Sequence, residues 1–179
     1  MKRIHRFFLI LFSLALCFCF TLNAIASSSI GISISTFETR YSSAFSTLGL
    51  GSLLSEAVIT IDGNKGILTY SIAEYVTIVV TCDLLDDTFP IESVVFTGSG
   101  DGTDESGLVI FIALSVVVYA CQGVDELSEA VVLLEEIKLL DTDALVFGAS
   151  YTQSIGSINY SWSYSYQYGV MLTLEPALR

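Results

Sequence analysis

The chain has 179 residues, 53% of them hydrophobic and 15% charged, with seven basic against nineteen acidic side chains. That apolar content lies far from the disordered range, and the length suits one domain around a single core. A net charge of −12 repels phosphate backbones, whose binding rests on Lys and Arg contacts, so no nucleic-acid partner is expected.

Met1, Lys2, Arg3 and Arg6 form a basic head, Phe7 to Leu22 an apolar run, and Ala24-Ile25-Ala26 a small-x-small cleavage site before Ser27. This reads as a cleavable export signal of bacterial proportions over residues 1–26, leaving 27–179 as one acidic, secreted or extracellular domain. The run is short of the roughly 20 residues that span a bilayer, which favours cleavage over an uncleaved leader that anchors the protein to the membrane. Leu14-Ala15-Leu16-Cys17 begins like a lipid-attachment box, but Leu16 stands where a small residue is needed. Three of the bases and none of the acids lie in the leader, so four bases face nineteen acids beyond it.

Ser35-Thr36-Phe37-Glu38 has the spacing of a capping box, and Phe37, Tyr41, Ala44, Phe45 and Leu48 then form one helical face up to Gly49. From Glu56 the period changes to two. Ala57, Ile59 and Ile61 alternate with Val58 and Thr60, and Asp62 to Gly66 turns into Ile67–Ile72. Tyr75–Cys82 and Ile91–Thr97 are β-branched and aromatic, separated by the acidic stretch Asp83–Thr88, so four antiparallel strands in a meander are expected.

Gly107–Cys121 is apolar throughout and lacks a period. Its length, with no turn signal and with Asp104-Glu105-Ser106 ahead of it, favours a core helix over a long strand or hairpin, and one too short to cross a membrane unaided, so no span is expected beyond the leader. After Gly123 a second helix is expected from Asp125, with Leu127, Ala130, Val131, Leu134 and Ile137 on one face. From about Leu145 the composition returns to strand, with two or three strands through Asn159–Tyr168 and Val170–Leu174. The whole predicts an α+β fold: an N-terminal helix, a four-strand meander, two helices and C-terminal strands, the helices packed on one face of an antiparallel sheet.

The chemistry is narrowed first by what is missing. The one histidine, His5, lies in the leader, so a Ser-His-Asp triad, a Cys-His pair and a His-based zinc site have no imidazole beyond it. No Ser-x-x-Lys or Gly-x-Ser-x-Gly occurs either. Carboxylates remain, and Asp83, Asp86, Asp87 and Glu92 surround a turn. A small carboxylate-dependent glycoside hydrolase would need only two of them, although such turn acids are ordinarily solvated.

Cys82 and Cys121 form an even pair in an exported chain and suit either a disulfide or two buried thiols. Gly98 to Glu105 gathers glycines and acids, and Asp101, Asp104 and Glu105 are candidate Ca²⁺ ligands; a plain acidic loop is the simpler reading. Tyr160, Trp162, Tyr164, Tyr166 and Tyr168 alternate with Ser161, Ser163, Ser165 and Gln167. On a strand these rings share one face, either packed under the helices, which the need for a sheet beneath apolar helices favours, or exposed to a glycan or another protein. No enzyme activity and no cofactor other than Ca²⁺ is expected. The sequence reads as a non-catalytic, extracellular or cell-surface binding or structural protein, with a calcium-dependent adhesive module and the glycosidase as alternatives.

Overall fold

The computed structural model describes residues 29–51, 55–141 and 143–177. The expected signal peptide over 1–26, its cleavage and its anchoring alternative lie outside the described residues.

Helix α1 (Ile34–Thr47) is capped by Ser33, whose Oγ accepts from the Thr36 amide at 3.2 Å. The cap is therefore two residues ahead of the expected Ser35. The cause is tertiary: Ser33 bridges Pro90 and the Ile34 amide donates to the Phe89 carbonyl, so the chain is held extended up to the first helical residue. Phe37, Tyr41, Ala44 and Phe45 are buried as expected, but Leu48, expected on the same face, follows the last helical residue as the C-cap and is exposed, and Gly49 takes the left-handed position at φ 72°.

Four strands follow as the expected meander: β1 (Val58–Asp62), β2 (Lys65–Ile72), β3 (Val76–Asp83) and β4 (Ile91–Gly98). Helices α2 (Asp104–Gln122) and α3 (Leu127–Glu136) lead to β5 (Ser150–Ile155), β6 (Ile158–Ser165) and β7 (Gly169–Pro176). The fold is α+β, with three helices among the described residues and one antiparallel seven-stranded sheet in the order β1-β2-β3-β4-β7-β6-β5. The last strand thus joins the two meanders by pairing with β4, Phe96 opposite Leu172 and Val94 opposite Leu174.

Alternation sorts the side chains. Tyr70, Ile78, Val80, Phe96, Leu172 and Tyr160 are buried on the face that meets the helices. The row Thr69, Val79, Val95, Thr173, Ser161 and Thr152 runs across six strands on the other. Between the sheet and its neighbouring helices, α2 buries Val116, Val117 and Val118 completely, each contributing about 1.5–3 kcal/mol by leaving water.

Helix α2 settles the ambiguous apolar stretch as helix. At 19 residues it exceeds the expected length and, by length and composition alone, is long and apolar enough to cross a membrane; half of that span is buried inside the fold. Thr103 caps its start through Oγ1, which accepts from the Ser106 amide. At its end Arg40 of α1 donates from Nη1 to the Ala120 carbonyl at 3.3 Å, placing a cation where the helix dipole is negative. The third helix begins at Leu127 rather than Asp125 and buries Ala130 and Leu134, followed by Ile137 just beyond its end.

Two expectations at the C-terminal side are corrected. Residues 145–149 form no strand but turn back against β6, where the Gly148 amide donates to the Tyr164 carbonyl. Strand β6 stops at Ser165, and Tyr166-Gln167-Tyr168 is a turn into Gly169 at φ 63°. A Cβ on Gly169 would stand 2.1 Å from the Gly98 carbonyl oxygen, so only glycine lets β7 start this close to β4.

Candidate functional site

The end of β6 divides the aromatic ladder. Tyr160 and Trp162 point into the core and are 0% and 3% exposed. The Trp162 indole N–H donates to the Ile137 carbonyl at 2.7 Å, and Gln122 donates to the Tyr160 hydroxyl. Burial pushes the Tyr160 phenol well above its ordinary pKa, so it stays neutral. These two rings join sheet to helices and offer no surface to a ligand. Tyr164 is half-buried, while Tyr166 and Tyr168, carried beyond the strand by the turn, are exposed.

Phe147, from the loop before β5, completes the exposed part. Its ring lies 4.7 Å from that of Tyr164 at 14° and 3.5 Å from that of Tyr166 at 12°, so three rings form one near-parallel stack. Tyr166 ends the stack at 83% exposure. Rings placed in this way exclude water on their inner faces and leave the outermost face wet.

Beside the stack lies a groove of about 470 Å³, bounded by Phe147, Tyr164 and Tyr166 on one side and by the loop from β4 into α2 on the other. Gly98, Gly100 and Gly102 keep that loop thin; a Cβ on Gly100 would lie 2.7 Å from the Ser106 Oγ. Ser99, Thr103 and Ser165 bring hydroxyls to the wall, and no charged side chain lines it among the described residues.

The expected calcium ligands are not brought together. Asp101 Oδ1 accepts from the Thr103 amide at 3.0 Å and the Thr103 hydroxyl at 2.7 Å, which ties the carboxylate into the loop before α2. The Thr103 and Ser106 donors hold its pKa down at about 2. Asp104 and Glu105 occupy the first turn of α2, where they suit the helix dipole. Among the described residues no three Asp, Glu, Cys or His side chains form a group that could hold a metal ion.

The possible disulfide is likewise absent. Cys82 and Cys121 are both free and buried: Cys82 packs beside Gly66 on β2, whereas Cys121 lies in the last turn of α2 near Arg40. Burial raises both thiols and keeps them protonated, with Arg40 opposing the shift at Cys121. Among the turn acids, Asp86 is held below the usual carboxylate range by the Thr88 hydroxyl and amide, and Glu92 is engaged by Lys65. A proton-donating acid needs the opposite shift.

Sequence reasoning missed Phe147, Ser99 and Thr103. The available signal was Phe147-Gly148, a large apolar residue beside a glycine, here at φ 84°; strand-like composition hid the loop. Comparison of the chain with family models, curated proteins and solved structures gave no match.

Proposed function

We propose that the protein works outside the cytoplasm as a non-catalytic binding protein, and that a neutral, hydroxyl-rich ligand such as a glycan occupies the groove beside Phe147 and Tyr166. The basic-apolar leader ending in Ala24-Ile25-Ala26 supports the compartment. The observation that carries the recognition is the wet outer face of the ring stack, set against a groove with hydroxyls but no charge. An aromatic face takes the C–H surface of a sugar ring, while Ser99, Thr103 and Ser165 offer hydrogen bonds to its hydroxyls. The acidic surface disfavours anionic ligands.

Neutral oligosaccharides arrayed on a surface test this reading. Tyr166→Ala should weaken capture about tenfold, the equivalent of one lost ring contact, and barely move the melting temperature. Capture that is absent, or unchanged in Tyr166→Ala, refutes the assignment. Release of new reducing ends during incubation would mark an enzyme instead.

A further inference from the structure

The sheet ends differently at its two borders. Strand β5 shows Ser150, Thr152 and Ser154 to solvent. Strand β1 instead leaves Val58, Ile59 and Ile61 about two-thirds exposed, and among the described residues only β2 pairs with it. An apolar edge without proline or lysine among its five residues is what folded proteins otherwise avoid, because its free amides and carbonyls accept another strand.

In the β1–β2 register Ile59 lies opposite Leu68 and Ile61 opposite Gly66, on the helix-bearing face. With Ile34, Leu84 and Phe89 they line an apolar groove of about 180 Å³. Ile34 and Phe89 also border a neighbouring concavity of about 450 Å³ that contains Glu38 and Asp87. Asp62 closes β1 at its far end, and Lys65 opposite it is engaged by Glu92. Charge therefore selects the occupant. All nineteen acids lie among the described residues, whereas the described bases are Arg40, Lys65 and Lys138, with Arg40 turned to the end of α2.

We infer that β1 and this groove form a docking edge for an extended segment of another protein, one with alternating apolar side chains and lysine or arginine at its ends. The segment adds as a further strand; its backbone pairs with β1, its apolar side chains enter the groove beside Ile59 and Ile61, and its cationic end meets Glu38 and Asp87. A second copy of this chain is the poorer occupant. Ile59-Thr60-Ile61 is symmetric about Thr60 and could pair with itself, but that would press two strongly acidic surfaces together.

The probe is a synthetic peptide of alternating valine and threonine with two lysines at each end; its control carries glutamates there. The lysine peptide should bind the purified protein at least about tenfold more tightly than the control, lose affinity as salt rises, and slow amide exchange across residues 58–62. Combined Ile59→Lys and Ile61→Lys should abolish binding with an unchanged circular dichroism spectrum. Glu38→Gln with Asp87→Asn should weaken it about tenfold, because both substitutions remove charge and keep shape. Equal binding of the two peptides, no binding, or a dimer with β1 amides already protected before peptide is added would each overturn the inference. Loss of the aromatic groove's ligand leaves all of these readouts unaffected.

Discussion

Two aromatic groups in this protein are built from the same kinds of ring and end in opposite surroundings. Phe37, Tyr41, Phe45 and Tyr70 contact one another at centroid distances of 5.0 to 6.2 Å, mostly tilted, and all four are buried. Tyr164, Phe147 and Tyr166 are nearly parallel, and Tyr166 keeps a face to solvent. Ring contact alone therefore does not mark recognition. The first group is closed on every side by α1 and the sheet, so its rings hold the fold; the second is closed on one side only, and what remains open is available to a partner.

The contrast is broken most easily by truncating one ring in each group. Phe37→Ala should cost about 3–5 kcal/mol in denaturant unfolding, since a fully buried ring leaves a cavity. Phe147→Ala, nearly half exposed at 48%, should cost about 1 kcal/mol or less. Equal losses would show that the exposed stack is a structural prop. A smaller effect is expected where ladder and helix meet: Trp162→Phe leaves the Ile137 carbonyl without its donor and should cost about 1–3 kcal/mol by the same measurement.

The smallest effect concerns the loop that borders the groove. Asp101 has a folded pKa near 2, below its ordinary 3.8, so its stabilisation is complete above the unfolded value and is lost as pH falls through the folded one. Melting curves of Asp101→Asn should lie below those of the natural protein at neutral pH and converge with them between pH 3.8 and about 2. A gap that is constant with pH would detach the carboxylate charge from the order of this loop.

Much of the fold was legible because period and composition agreed. The four-strand meander and the buried face of α1 from Phe37 to Phe45 followed from the helical spacing of Phe37 and Tyr41 and the alternation around Ile59. The Ser33 cap was hidden because local spacing favours Ser35, and only the pairing with Pro90, far along the chain, fixes the earlier start. The aromatic ladder misled for a related reason. Alternation at Tyr160, Trp162 and Tyr164 continues through Tyr166 and Tyr168, but Gly169 reverses the chain, and a period of two cannot report where a strand stops. The stack was illegible because Phe147 reaches Tyr166 from a loop whose course no local rule dictates.

The position of β7 has a consequence for how the molecule assembles. Among the described strands it comes last in sequence, yet it sits between β4 and β6 in the middle of the sheet. During folding the first meander must therefore keep the β4 border bare until residues 169–176 reach it. Such long-range closure slows folding and prolongs the window in which a chaperone can hold the incompletely folded chain.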